Sequence, residues 1–436
     1  MKQLLAYCLS IILCVSFTGC MENYLDLYPE DKITSASFPE NESDIKLLLN
    51  GVYAQLREKE VYNQGLFGFG ITDGATPNAF NWGTDEVFNK LGAGRLSSSD
   101  GGVVTYRWKR CYEIISRANY LLACMDLVDL SEEAKAKYSG ETHFLRGLAY
   151  SVLAETYGGV PIILTDISTE EARSLKRASL EETWQQALDD YEVAITNLGV
   201  DAPEPGRATK GAALGMKMRA YLYQGKYKEV LSCVEQIDAL KKYGLFHSYE
   251  GLFDPANENN KEVLFDIQYI EGENSQGSYI DQYCGTGTGS WTRGSRYVPT
   301  DDLVAAYETI DGSPVDPDNP YENRDPRLGF TAVLPGSYFL GYRFPNYLYP
   351  GGAFNHAGNR LKHLSTRKYR IQDESKLPPS GQSYINDIIL RYADVLLSKA
   401  EAIIETNGSV ADAIAILNRI RTERDDVKIS LLPTSM

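Results

Sequence analysis

The stretch ETHFLRGLAYSVLAETYGGVP constrains the fold more than any other part of the chain. Phe144, Leu145, Leu148, Ala149, Val152, Leu153 and Tyr157 recur at helical spacing, which predicts an amphipathic helix with those residues on one face. Gly158-Gly159 and Pro161 end it, since glycine tolerates the terminal turn and proline has no N–H to continue it. SDIKLLLNGVYAQLRE repeats the pattern, with Ser43 as the expected N-cap and Ile45, Leu48, Leu49, Val52, Tyr53 and Leu56 facing inward. YRWKRCYEIISRANYLLACMD and SLEETWQQALDDYEVAITNL predict two more helices, with Trp108 and Trp184 as structural residues. A chain of 436 residues with this periodicity can bury a large core without cross-links.

Two segments, AYLYQGKYKEVLSCVEQI and AIIETNGSVADAIAILNRI, each place Gly before a second helix. Gly225 and Val230 in the first correspond to Gly408 and Ala413 in the second, as in tetratricopeptide-like helix–turn–helix units. Their distance in sequence and poor match argue for helix pairs built into a larger domain, not a uniform superhelix. From about Gly244 to Asp387 helical periodicity weakens. KEVLFDIQY alternates like a strand, with Val263, Phe265, Ile267 and Tyr269 on one side. The rest of that region is rich in Gly, Pro, Asn and Tyr, and loops so long inside a compact protein are usually functional or disordered. Their many aromatics argue against disorder. The expected fold is therefore mainly α, with tetratricopeptide-like helix pairs, a long loop-rich region and a few short strands.

FTGC, Phe17–Cys20, stands where an apolar run from Leu4 turns into the polar MENYLDLYPED. The run is too short to span a bilayer and fits the apolar part of a secretory signal. No A-x-A-like cleavage site follows. The segment instead resembles a lipobox, with Phe17 in place of the usual Leu and Cys20 as the acylated first mature residue. Loss of Lys2 with the leader makes the net charge of −16 one unit more negative. Such acidity argues against nucleic acid or anionic lipid headgroups as partners. No later segment is long and apolar enough to span a membrane, so the lipid is expected to be the anchor. Cys111, Cys124, Cys233 and Cys284 are spaced irregularly and form no disulfide framework. Three of them sit beside apolar residues in helical patterns and read as small hydrophobes.

Catalytic motifs are missing from the sequence. His143, His247, His356 and His363 have no compact ligand spacing, and neither G-x-S-x-G nor C-x-x-C occurs. GTGTGSWTRG lacks the G-K-[ST] ending of a phosphate loop and reads as a flexible loop. No pair of carboxylates stands out for glycoside hydrolysis. No cofactor is expected. The acidic DGSPVDPDNP could offer calcium oxygen ligands, but it lacks the EF-hand register and reads as a solvated turn. RDPRL, Arg324–Leu328, reads as structural, with Asp325 bridging guanidinium groups and Pro326 fixing the turn. Tyrosine, at 30 against 14 Phe, exceeds what a core alone favours and suggests hydrogen-bonding recognition surfaces, although half-buried helix positions account for most of it.

YLDLYPEDKITSASF followed by ESDIKLLLNGVYAQLR resembles the opening of SusD/RagB-type outer-membrane lipoproteins of Bacteroidetes. HFLRGLAYSVLAETYGGVPII, RATKGAALGMKMRAYLYQGKY, DDLVAAYETIDG, NRDPRLGFTAVLPG and IILRYADVLLSKAEAI match later landmarks of that family in order. The resemblance runs from the lipobox to about Arg421. It implies a signal peptide at 1–19, a helical region at 20–243, and a loop-rich ligand-facing region with the C-terminal helices at 244–436. It also implies a non-catalytic, surface-exposed outer-membrane lipoprotein that captures glycans and hands them to a SusC-like TonB-dependent transporter. Past LNRIR the family continues into a further ERR-type helix and a Trp-containing end. The tail RTERDDVKISLLPTSM lacks that pattern and stops at Met436, so against the family the chain reads as short at its C-terminus, and a less stable second half is expected.

Two loops carry the sugar-binding expectation. ITDGATPNAFNWGTDEVF offers Asp73, Asn78, Asn81 and Trp82; YIDQYCGTGTGSWTRGSRY offers Tyr279, Tyr283, Trp291 and Arg293. Flat rings can cover the C–H face of a sugar, while amide, carboxylate and guanidinium groups satisfy its hydroxyls. The resemblance supports these regions, since the family's glycan sites use rings from corresponding loops. Trp82 and Trp291 either stack on ligand or anchor their own loops, in which case Tyr338, Tyr342, Tyr347 and Tyr349 are the next candidates. The alternative ligand is an extended peptide read by tyrosines and backbone groups, as in RagB-like relatives.

Overall fold

The computed structural model describes residues 38–57, 73–81, 90–271, 277–278, 297–340, 342–344, 364–371, 373–378 and 382–433. The scaffold starts at Asn41. Its side chain accepts from Asp44 N while the Asp44 carboxylate accepts from Glu40 N and Asn41 N. This reciprocal cap opens helix α1, Glu42–Ala54. The expected cap, Ser43, lies inside the first turn instead, because an Asx side chain two positions earlier satisfies the orphan N–H. Ile45, Leu49 and Val52 of α1 are buried as expected, against α2 (Val103–Cys124) and α3 (Glu132–Tyr157).

Helix α3 departs from the one-sided reading. From Gly140 to Ala154 it is buried almost all round, including Glu141, Thr142, Arg146 and Ser151. A short α4 (Thr169–Ser174) leads into α5 (Leu180–Asn197), and α1, α2, α5 and α6 (Lys210–Tyr223) all pack on α3. Gly147 permits the close approach of α5, since a Cβ there would stand 3.1 Å from Ala187 O and from the Asp190 Cβ. Beside it the Arg146 guanidinium donates to Asp190 at 2.7 Å and to Asn119 Oδ1 at 2.7 Å. Glu141, Arg146 and Ser151 are thus partnered by neighbouring helices and Thr142 by Tyr138 O of its own helix, which is why apolar periodicity alone understates the burial of α3.

Helix α6 and α7 (Tyr227–Ala239) form one helix pair, turning at Gly225 with φ +67°. Much later, α10 (Tyr392–Glu405) and α11 (Val410–Thr422) form the second, with α7 packed against α10. The two units are distant in sequence and adjacent in space. In the second turn Asn407, not Gly408, takes the left-handed conformation. The intervening chain adds α8 (Asp301–Ala306) and α9 (Pro326–Thr331). The main core draws on both halves, joining Leu148 and Tyr191 to Phe265, Leu390 and Val395.

Tyrosine hydroxyls tie this scaffold together. Tyr53 donates to Glu141 at 2.7 Å, Tyr138 to Glu42 at 2.9 Å, Tyr150 to Ile163 O at 2.9 Å and Tyr392 to Asp238 at 2.7 Å. Much of the tyrosine excess is therefore structural among the described residues.

Short strands pair two by two, all antiparallel: β1 (Ala79–Asn81) with β3 (Tyr297–Pro299), β2 (Val263–Ile267) with β8 (Asp387–Arg391), β4 (Ala332–Val333) with β7 (Ser365–Thr366), and β5 (Tyr338–Phe339) with β6 (Tyr342–Arg343). KEVLFDIQY does form a strand, but Leu264 and Asp266 are buried along with Phe265, Ile267 and Tyr269. The alternation fails because α6 covers the face expected to be open: a Cβ on Gly215 would lie 2.2 Å from Leu390 and 3.1 Å from Leu264.

The C-terminal tail also differs from expectation. Arg424 is sealed against Glu262, Asp426 accepts from Ser248 Oγ and from Tyr249 N and Glu250 N, and Val427 and Ile429 are buried. Charged and polar anchors hold this segment, so it carries little hydrophobic pattern to read.

Candidate functional site

The strand pair β1–β3 joins the two loop regions that the sequence singles out, more than two hundred residues apart. Ala79 faces Pro299, Phe80 faces Val298 and Asn81 faces Tyr297. Thr300 extends the tie: its N–H donates to Asn78 O at 3.1 Å, its hydroxyl donates to Pro77 O, and the same hydroxyl caps α8 through Leu303 N. A turn held by Thr76, whose hydroxyl donates to Asp73 O at 2.8 Å and accepts from Asn78 N at 3.1 Å, leaves Asn78 exposed. Asn81 is placed by its backbone alone. Trp82, Tyr279, Tyr283, Trp291 and Arg293 lie outside the described residues, as do Cys20, Tyr347 and Tyr349. Tyr338 is described and stands exposed on β5.

Asp73 points the other way, into a cavity of about 360 Å³. Helices α2, α3, α5 and α6 supply one side through Arg107, Glu155, Trp184 and Arg219. Strand β8 and the segment before it supply the other through Asp387, Lys368 and Tyr369. Burial raises the Asp73 pKa, against the pull of Lys368. Burial, then the nearby carboxylates of Asp266 and Asp73, push Asp387 up to about 7, again opposed by Lys368. Arg219 is held by Asp394 at 2.6 Å and by Ile389 O at 3.1 Å, which fastens α6 to the β8–α10 junction. Asp73 is the cavity residue that the sequence marks as a ligand contact, whereas Trp184 and Val152 read as structural. Arg107, Glu155, Lys368 and Asp387 come from separate elements and share no local motif.

Other candidates resolve into structure. Asp325 caps α9 through Arg327 N at 2.9 Å and grips the Arg327 guanidinium at 2.6 Å, with Pro326 in the first turn. Arg324 donates to the carbonyls of Val304, Tyr307 and Pro320, each at 2.6 Å. In DGSPVDPDNP, Asp311 accepts from Ser313 N, and Asp316 accepts from Asp318 N and Asn319 Nδ2. No cluster of three or more potential ligands among His, Cys, Asp and Glu occurs among the described residues. Cys111 and Cys233 are buried, which pushes their thiols up to about 12 and about 11 and leaves them unreactive. His143 is pulled down by burial and bonds the Ser139 backbone within its own helix.

Helix pairs stacked out of sequence order, short strand ties and a loop-rich second half define a mainly helical, tetratricopeptide-like scaffold. Two family models cover most of it: "Starch-binding associating with outer membrane" matches residues 23–222, and "SusD family" matches 261–424. The chain belongs to the SusD family. It is 26% identical over 457 residues to SusD-like protein P25 of Formosa agariphila, spanning 96% of this chain and 81% of that one. A SusD-like carbohydrate-binding protein of Bacteroides fragilis superposes with a TM-score of 0.79 at 26% identity, over 90% of this chain and 80% of the other. A structure solved with a xylogluco-oligosaccharide shares the fold at a TM-score of 0.69 and 21% identity, over 88% and 77%. Among the described residues, no helix is long and apolar enough to cross a membrane.

Proposed function

We propose that this protein is a non-catalytic lipoprotein that captures glycans at the outer-membrane surface and delivers them to a SusC-like TonB-dependent transporter. The observation that carries the reading is the β1–β3 tie, which brings the ends of two aromatic- and amide-bearing loops together on a SusD-family scaffold. Rings from two chain segments can then bracket one sugar chain, with Asn78, Asn81 and Arg293 meeting its hydroxyls and Trp82, Trp291, Tyr279 and Tyr283 its C–H faces. Kinship supports the ligand class, since the Bacteroides fragilis relative is a carbohydrate-binding protein. Cys20 supplies the lipid anchor, and the transporter receives the ligand.

Affinity electrophoresis of the mature protein through gels containing single polysaccharides tests the ligand. Retardation by at least one polysaccharide is expected. Mobility unchanged across starch, xyloglucan, laminarin, xylan and mannan, with binding to an extended peptide library instead, would replace the glycan by a peptide. Recovery of a TonB-dependent transporter on pull-down from mild detergent tests the partner, since a lid and barrel of this kind need more than about 2,000 Å² of shared surface. Recovery of the lipoprotein alone, with the transporter co-expressed, would remove that part of the reading.

A further inference from the structure

The cavity bordered by Asp73 holds more polar capacity than the protein itself uses. Asp73, Glu155 and Asp387 present carboxyls to it, and Arg107 and Lys368 present cations. Among the described residues, none of these five side chains has a hydrogen bond or salt bridge to another. Arg219, on the same wall, shows the contrast, with Asp394 and Ile389 O both in reach. Arg107 Nε is shut off from solvent without a partner, and the Lys368 ammonium lies 4.6 Å from the Phe253 ring centre. That Nε is closed to the cavity as well, so what an occupant meets is the rest of the guanidinium, the ammonium and the three carboxyls, and a lining of both charge signs favours a polar occupant.

Charge limits what that occupant is. An anion would face three carboxyls, and a cation would face a guanidinium and an ammonium. Asp387 carries its proton part of the time near neutrality, which brings the five groups close to balance. A sugar hydroxyl suits both kinds of group at once, donating to a carboxylate while accepting from a guanidinium or ammonium. Trp184, almost fully buried beside them, adds an apolar ring surface. The volume of about 360 Å³ lies at the small end of the ~300–1,000 Å³ usual for small-ligand sites.

We propose that this cavity is a second sugar subsite, which takes one uncharged monosaccharide-sized unit, free or at the end of a chain. It rests on the glycan-capture reading, and the Trp82 and Trp291 variants distinguish it from the loop site of that reading. Saturation-transfer NMR on the mature protein tests it, with the methyl glycosides of glucose, galactose, mannose and xylose as probes. The wild type is expected to bind at least one. A Trp82→Ala, Trp291→Ala double variant should keep that binding while losing polysaccharide retention. Glu155→Gln, at an exposed position that leaves folding intact, and Asp387→Asn should each weaken it about tenfold or more, the loss of one charge-assisted hydrogen bond. Failure of all four glycosides to bind the wild type overturns the subsite and leaves polysaccharide capture standing. Binding abolished in the double Trp variant yet untouched by Glu155→Gln overturns it too, assigning the sugar to the loops. Polysaccharide retention missing in the wild type, with glycoside binding intact, instead sinks the surface reading.

Discussion

Arg424 and Glu262 meet in a two-point salt bridge closed off from solvent, Nη1 lying 2.7 Å from Oε2 and Nη2 2.8 Å from Oε1. Their side chains are 2% and 0% exposed. Arg391 reaches the same carboxylate at 2.8 Å, and Phe246 N donates to it at 2.7 Å. One carboxylate thus joins the C-terminal tail, strand β8 and the start of the loop-rich half.

Unequal losses are expected when the partners are removed singly. Glu262→Gln leaves Arg424 buried without a counter-charge and should cost about 3–5 kcal/mol. Arg424→Met leaves Glu262 with Arg391 and should cost clearly less. Denaturant unfolding of both variants gives the comparison, and equal losses would show that Arg391 does not compensate. Burial by itself would raise the Glu262 pKa, but Arg424 and Arg391 hold it below the ordinary 4.5. Its contribution is therefore present above about pH 4.5 and lost as pH falls through the lower folded value.

Three other acids should act in the opposite sense. Burial raises Glu258 to about 7, Asp266 to about 6 and Asp387 to about 7, and mutual repulsion between carboxylates adds to Glu258 and Asp387. The folded state binds these protons more tightly than the unfolded chain does. Their contribution to stability is then fullest below about pH 4, falls as pH rises towards 7, and is flat above that. A higher Tm at pH 5.5 than at pH 8 is expected. Glu258→Gln, whose amide oxygen can still accept from Asn386 N, should shrink the difference. A Tm that climbs steadily from pH 5.5 to 8, unaltered in that variant, would contradict this.

How far these features could be read from sequence depends on what carries them. Apolar periodicity marked α1, α2, α3 and α5, because Ile45, Ile114, Leu148 and Leu188 are buried at helical spacing. It missed the burial of Glu141, Arg146 and Asp190, since a charged residue inside leaves no trace unless its partner is known. The tail at Arg424 was obscure for the same reason. The loop regions were legible from their Asn, Tyr and Trp content, yet their meeting was not, because a three-residue strand pair like β1–β3 has almost no local pattern. The cavity needed Arg107, Glu155, Lys368 and Asp387 brought from four separate places in the chain, and beside them only Asp73 stood in a stretch read as ligand-binding.

The end of α3 offers a test of backbone packing. A Cβ on Gly159 would stand 2.0 Å from Ala178 O and 2.8 Å from Ser179 C, neither of which can yield without moving the start of α5. Gly158, with φ +75°, has open space around its Cβ position. Gly159→Ala should therefore cost about 2 kcal/mol or more through overpacking, and Gly158→Ala about 1 kcal/mol through backbone strain alone. Thermal unfolding ranks the two, and the reverse order would mean that the 159–179 contact relaxes easily.

Cys20 should be the acylation site. Cys20→Ala is expected to accumulate as a longer precursor that no longer labels with a fatty-acid analogue. Unchanged labelling of that variant would end the lipoprotein reading, and protease shaving of intact cells would then show whether the body faces outward.

The four tryptophans should divide into two pairs. Trp184 is 5% exposed in the main core, and Trp108 packs its ring edge-to-face on Tyr157 at 5.2 Å. Trp184→Ala should lower stability by about 3–5 kcal/mol through the cavity it leaves, and Trp108→Ala by less because that ring is only half-buried. Trp82→Ala and Trp291→Ala should instead leave Tm nearly unchanged and weaken polysaccharide binding about thirtyfold, the usual loss of about 2 kcal/mol for an aromatic anchor. Calorimetry and affinity electrophoresis on the same four variants separate the two effects. If Trp82→Ala and Trp291→Ala unfold the protein while the folded fraction still binds normally, the loops are scaffold. The binding face would then be sought first at Tyr338, exposed on β5, and at Tyr342, its near neighbour in the β5–β6 pair.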